Sequence, residues 1–393
     1  MKVICITNLF PDVTRPGFAS FNRQQLIHLA STHELRLIVP VPWPRRAALA
    51  VRGSRPEPTL DLRDVMTVHY PCYFYTPKIL RRFYGAFYER SIGGTFSRLV
   101  REDRPGVVYA TWAYPDCYAA SRLAARHGLP FVARVHGSDI NEFLEYPARK
   151  RRILEGMRTA GAVVTVSAAL RDRLAAEGVD AAKIHVVYNG IDRVLFRPLD
   201  RGAARRELGL DESGAIILYA GNLEPVKGLD LLIEAFGKLE TASCELHIIG
   251  DGPERRRLLD LARRLPAGKR VLFHGRLPHR LMGTWFNACD VFSLPSLAEG
   301  TPNVVLEALA CRTPVVASDT GGIPEIVAAG SGILFRCGDA LALAASLAEA
   351  LARSWDRERI VCPALSWDEN ARILGEILVA AARERGAPKP ERS

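Results

Sequence analysis

Hydrophobic positions along this chain fall into two alternating textures. Short, near-continuous apolar runs rich in Val and Ile recur at 3–7 (VICIT), 35–39 (LRLIV), 107–110 (VVYA), 130–135 (PFVARV), 162–166 (AVVTV) and 184–188 (IHVVY). Between them lie segments with helical spacing, among them 20–31, 115–127, 149–159 and 168–177. Runs of the first kind suit strands buried on both faces, and their alternation with helices predicts a parallel sheet with crossover helices.

The pattern breaks at 189–200 (NGIDRVLFRPLD), where Gly190 and Pro198 mark a linker, and then restarts. Strands are predicted at 215–221, 244–250, 270–275, 290–296, 313–318 and 332–335. Helices are predicted at 228–238, 253–265, 279–288, 303–311, 323–329, 339–352 and roughly 368–386. The fold class that follows is α/β, two doubly wound Rossmann-like domains in tandem. The expected domains are 1–195 and 196–365, with 366–393 a C-terminal helix packing back on the first and ending in a frayed tail. Doubly wound domains bind ligands beyond the carboxyl ends of their strands, and a cleft between two of them is the natural site.

Two stretches interrupt the first domain. Residues 41–62 read as a Pro-rich loop. Residues 71–104 interleave Tyr73, Phe74, Tyr75, Phe83, Tyr84, Phe87 and Tyr88 with Lys78, Arg81, Arg82 and Arg90. That texture fits first an amphipathic helix sending its aromatics into the core, and otherwise an interfacial membrane contact or a base-stacking surface.

Charge sharpens the contrast between the halves. The net charge is +10, but residues 1–195 hold 28 Lys and Arg against 17 Asp and Glu, and the remainder is nearly balanced. A basic first half is either a solvated surface or a face for an anionic partner. No stretch approaches the roughly 20 apolar residues of a membrane span. The start MKVICITNLFP reads as a first strand rather than an export signal. Eight scattered cysteines, with no C-x-x-C and no Cys/His cluster, read as reduced thiols of a cytoplasmic protein.

The candidate chemistry clusters at predicted strand ends. In AEGTPNVVLEALA, a polar loop with Glu299, Gly300 and Thr301 runs into a helix starting near Pro302 and Asn303 and carrying Glu307. Carboxylates accept from hydroxyls, and a helix N-terminus favours phosphate, so this window suits a polyhydroxylated, anionic ligand. Lys227, in GNLEPVKG just before another helix, is placed to hold a diphosphate. Gly250-Asp251-Gly252-Pro253 is a tight turn. It lacks the third glycine of G-x-G-x-x-G, and no such motif follows 3–7, which argues against a nicotinamide Rossmann enzyme. No D-x-D stands at a strand end.

Taken in order, these motifs resemble those of the retaining glycosyltransferases of family 4, over about residues 1–380. E-G-x-P-N-x-x-x-E matches the nucleotide-sugar signature, and G-N-L-x-x-x-K-G matches G-R-L-x-x-x-K-G except that Asn222 replaces the arginine. G-D-G-P, H-G-R-L at 274–277 and T-G-G-I-P-E at 320–325 also match, while Arg312 replaces a usual glycine. His136-Gly137-Ser138-Asp139 resembles H-G-x-D, and the loop around Gly17 and Phe18 resembles members that build bacterial cell-surface polysaccharides.

The resemblance implies a GT-B fold and metal-free, retaining transfer from a nucleoside-diphosphate sugar. Catalytic roles go to His136 on the sugar, Lys227 on the diphosphate and Glu299 on the sugar hydroxyls. Donor binding goes to Asn222, Gly250, Gly252, Arg276, Leu277, Gly300, Thr301, Pro302, Asn303 and Glu307, the last on the ribose. Gly17, Phe18 and Asp139 fall on the acceptor side. The expected acceptor is a lipid-linked or anionic glycan, with peripheral contact to an anionic membrane and no nucleic acid. The alternatives are a nucleotide-sugar 2-epimerase of the same fold and a non-catalytic partner subunit.

Overall fold

The computed structural model describes residues 1–76, 80, 83–241 and 243–384. Lys78, Arg81 and Arg82 of the basic-aromatic stretch, and the expected C-terminal tail, lie outside the described residues. The chain divides into two compact units, 1–190 with 367 onward, and 191–366.

In the first unit, β1 (Lys2–Ile6), β2 (Glu34–Ile38), β4 (Thr67–His69), β6 (Val107–Thr111), β7 (Phe131–Val135), β8 (Ala162–Thr165) and β9 (Ile184–Val186) form a parallel sheet. Their order is β4-β2-β1-β6-β7-β8-β9, with the direction of winding reversing at β1. A two-residue pair, β3 (Val41–Pro42) and β5 (Cys72–Tyr73), stands apart. Every residue of β6 and β7 is buried, as continuous apolar runs require when helices cover both faces.

The interruptions are more ordered than composition suggested. Residues 43–51 are a helix, Trp43–Val51, and not a loop, because Pro44 sits in its first turn, where a missing N–H costs nothing, and RAALA behind it propagates well. The helix Tyr84–Asp103 buries Tyr88, Ile92, Phe96 and Leu99 at helical spacing, and Tyr73 packs edge-on against Tyr88 at 4.9 Å. These residues take the core reading. Phe74 (52%) and Phe83 (40%) stay exposed.

The helix Trp367–Glu384 belongs to this first unit. It places Ala371, Leu374, Ile377, Leu378 and Ala381 in one apolar cluster with Val3, Leu26, Leu29, Leu35 and Leu37. Each buried leucine contributes about 1.5–3 kcal/mol. Asn370 fixes the register: its Oδ1 accepts from Gln25 Nε2 at 2.7 Å and its Nδ2 donates to Tyr188 O.

The second unit is a six-stranded parallel sheet of β10 (Ala215–Ala220), β11 (Cys244–Ile249), β12 (Arg270–Gly275), β13 (Val291–Leu294), β14 (Val315–Ser318) and β15 (Gly332–Phe335). The order is β12-β11-β10-β13-β14-β15. Here each predicted strand lies within two residues of its observed ends. Among the described residues, no helix is long and apolar enough to cross a membrane.

Candidate functional site

Loops at the carboxyl edge of the second sheet pack on one another. Leu223 N–H donates to Asp251 O (3.1 Å), Leu297 N–H to Val226 O (2.8 Å) and Gly322 N–H to Gly300 O (2.7 Å). A Cβ on Gly250, at φ +143°, would lie 1.8 Å from Gly221 O, and one on Gly321, at φ +56°, 2.1 Å from Glu299 O. Only glycine fits at either place. Loop packing alone therefore accounts for Gly250, and for Gly252, whose Cβ would meet Leu223 O at 2.4 Å.

Inside this frame Lys227 Nζ lies 2.5 Å from Glu299 Oε1, and Ser296 Oγ donates to the same oxygen at 2.7 Å. The lysine side chain is 23% exposed and the glutamate 11%, so the pair is largely withdrawn from water. Two residues with separate expected roles thus neutralise each other. The helix Asn303–Ala310 follows, and Pro302 is its N-cap rather than its first residue. Thr301 and Pro302 are buried, as is Gly300.

Glu307, buried on that helix, has Oε1 3.0 Å from His279 Nε2. The hydrogen bond to Glu307 raises the His279 pKa against the effect of burial. Phe196 packs edge-on against that imidazole at 5.2 Å. Nothing in the sequence pointed to His279, because its partner is 28 residues away on another element. Asn222 and Arg276 are exposed and Leu277 half-buried. Tyr219 Oη donates to the Asn222 carbonyl at 2.9 Å. Among the described residues, no group of three His, Cys, Asp or Glu is placed to hold a metal.

In the first domain, His136 follows β7. Neither ring nitrogen has a hydrogen-bond partner among the described residues, and both are shielded from solvent. Burial, and then the charge of Arg134, hold its pKa well below the usual imidazole value, so the ring is neutral at pH 7. Phe21 lies 4.9 Å from it, and Trp112 is roughly stacked at 6.5 Å.

Asp139 corrects its expected role. The carboxylate is fully buried and accepts from the backbone N–H groups of Ala113 (2.9 Å), His136 (2.9 Å) and Gly137 (2.8 Å). Those bonds offset part of the burial that lifts its pKa to about 6. It positions the loop carrying His136 and is closed off from solvent. At the N-terminal loop, the Arg15 guanidinium lies 4.1 Å from the Phe18 ring centre, and Gly17 is exposed with open space around it. Buried Asp12 ties this loop down, accepting from Thr14 N (2.9 Å) and Arg45 Nη2 (2.6 Å).

Comparison with known proteins adds what geometry cannot. The family model described as "Glycosyltransferase Family 4" matches residues 17–194, and that described as "Glycosyl transferases group 1" matches 200–364. The chain is 27% identical over 377 residues, 94% of its length and 92% of the relative's, to the "Putative teichuronic acid biosynthesis glycosyltransferase TuaC" of Bacillus subtilis. Sucrose-phosphate synthase from Thermosynechococcus elongatus superposes with a TM-score of 0.72, at 20% identity, over 98% of this chain and 97% of its own. Anabaena Alr3699/HepE in complex with UDP-glucose does so with 0.68, at 20% identity, over 98% of each chain. The two models tile the two domains in order, and the chain belongs to glycosyltransferase family 4, with the GT-B fold of two Rossmann-like α/β domains.

Proposed function

We propose that this glycosyltransferase moves a sugar from a nucleoside-diphosphate sugar to an acceptor hydroxyl with retention at the anomeric carbon, in the synthesis of a cell-surface glycan. The observation that carries the reading is the Lys227–Glu299 pair among the carboxyl-edge loops of the second sheet. A donor diphosphate would draw Lys227 away from Glu299. The lysine would then stabilise the charge that grows as the anomeric C–O bond breaks, and the released carboxylate would accept from the sugar's hydroxyls. Glu307, oriented by His279, would accept from the ribose. His136, neutral and with both nitrogens unpartnered, would hydrogen-bond a sugar hydroxyl. The acceptor oxygen would attack the face the diphosphate leaves, and its proton would pass to the departing phosphate oxygen.

The names of relatives support this direction: TuaC is named for teichuronic acid biosynthesis, and the HepE structure holds UDP-glucose. In this reading Lys227 and the N-terminus of Asn303–Ala310 supply the positive charge, and the protein acts peripherally at the inner membrane face without a resident metal.

The test is nucleotide release from a panel of UDP-, GDP- and ADP-sugars, with and without EDTA and with and without a membrane-lipid extract. Release that needs one sugar and the extract, and survives EDTA, is the expected result. Release abolished by EDTA would overturn the metal-free mechanism. Conversion of donor with no acceptor present would favour an epimerase, and no turnover of any donor would favour a non-catalytic subunit.

A further inference from the structure

The first domain holds a cavity of about 720 Å³, lined in part by the basic-aromatic stretch and by none of the residues given a catalytic, donor-binding or acceptor-side role. Its walls include Tyr84 and Phe87 from the helix Tyr84–Asp103, Trp112 after β6, and Phe143 and Tyr146 ahead of the helix Pro147–Thr159. Arg149 and Arg152, on that last helix, also line it. The Arg149 guanidinium lies 4.8 Å from the Phe143 ring centre and 4.9 Å from that of Tyr146, and Arg152 Nη1 donates to Tyr114 Oη at 3.2 Å. Both arginines are half-buried, and neither has a carboxylate partner among the described residues. A cation withdrawn from water onto aromatic faces is attracted to the rings, but its charge is left uncompensated.

Trp112 joins this cavity to His136. Its φ is +87°, a value that strains a bulky residue. The conformation is held from both sides: Trp112 N–H donates to Arg134 O (2.9 Å), and Asp139 takes the next N–H, that of Ala113. The indole so placed is roughly stacked with His136 at 6.5 Å and edge-on to Phe143 at 5.9 Å. On the far side, Phe87 touches two exposed rings, Phe74 at 6.0 Å and Phe83 at 6.4 Å. The aromatic lining thus runs from beside His136 out to a solvent-facing apolar patch.

We infer that this cavity is the acceptor site, and that the acceptor is an amphiphile pairing a phosphate with an apolar chain. The phosphate lies against Arg149 and Arg152, and the chain leaves along Phe87 towards Phe74 and Phe83. A soluble anionic sugar would satisfy the arginines but leave that exposed aromatic track without a purpose. The inference deepens the transferase reading and rests on it for the word acceptor, but its test needs no donor.

Calorimetric titration of the whole protein with octyl phosphate below its micelle concentration, beside inorganic phosphate, octanol and glucuronate, decides it. Octyl phosphate is expected to bind at least tenfold tighter than each of the others. Arg149→Gln with Arg152→Gln should cost at least tenfold for octyl phosphate and leave octanol unchanged. Phe87→Ser, on the path the chain takes, should weaken octyl phosphate and octanol together. Should the double variant fail to fold, Arg149→Gln alone serves, since among the described residues its guanidinium meets rings alone. Equal binding of octyl phosphate by the variants, or binding of phosphate or glucuronate as tight as octyl phosphate, would overturn the proposal. Failure of every donor in the release assay would instead strike the transferase reading and leave this binding result standing.

Discussion

The two domains prepare their polar groups in opposite ways. In the second, the candidate groups are matched among themselves, Lys227 with Glu299 and His279 with Glu307. In the first, among the described residues, His136 has no partner for either ring nitrogen, and Arg149 and Arg152 meet rings and a phenol. A matched site is stable alone and must give up a contact when it binds. An unmatched site carries its desolvation cost all the time and recovers it on binding. Stability and activity should therefore respond together to substitution in the second domain and separately in the first.

The largest effect should come from breaking the matched pair. Lys227→Met removes the diphosphate cation and leaves Glu299 at 11% exposure without it. Turnover should fall about a hundred- to a thousandfold, and the melting temperature should fall too. Glu299→Gln should lose activity on the same order. If either variant turned over like the parent in the release assay, the assignment would be wrong. His136→Phe is the counterpart. Losing a substrate hydrogen bond should cost about tenfold in kcat/KM, yet the melting temperature should hold or rise, because two unpaired buried nitrogens disappear. A fall in stability matching that of Lys227→Met would erase the contrast.

A third test uses pH. Asp116, fully buried and accepting from Tyr88 Oη, has its pKa lifted by burial to about 8, against 3.8 for the free side chain. The folded protein keeps a proton that the unfolded chain releases near pH 4, so stability is lost as pH rises from about 4 through about 8. Asp116→Asn cannot ionise and escapes that loss. Thermal melts should show a gap in its favour that opens between pH 5 and 8 and then stays constant. A gap independent of pH would mean the carboxyl ionises normally.

The smallest effect is expected at Arg312, whose φ is +56°. Left-handed backbone costs a non-glycine residue about 1–2 kcal/mol, partly offset here by an ion pair with Glu358. Arg312→Gly should raise the melting temperature by a degree or two with no change in turnover. A fall would show that the ion pair outweighs the strain.

The second domain was legible in the sequence because each strand and helix there is local. Buried runs such as IILYA and turn glycines such as Gly250 and Gly321 carry their own explanation. The first domain was less so where tertiary packing decides. Trp43–Val51 hid behind its prolines, and β4 is three residues, TVH, at a sheet edge. The strained Trp112 and the partner of His279 depend on residues far along the chain, which no local pattern records. Asp139 stood out as important, but in the wrong role, since a carboxylate collecting three backbone N–H groups looks, in sequence, like one facing a ligand.

The return of the last helix to the first domain has a consequence for synthesis. Leu374 and Leu378 complete the cluster that Val3, Leu26 and Leu37 begin, and in the chain the whole second domain lies between them. At about 5–20 residues per second, a ribosome takes about 10–35 s to cross from residue 190 to 367. Through that interval the first sheet waits with a greasy flank uncovered, so this domain, translated ahead of the second, is sealed after it. A nascent chain stalled within the second domain should be a better chaperone client than the released chain.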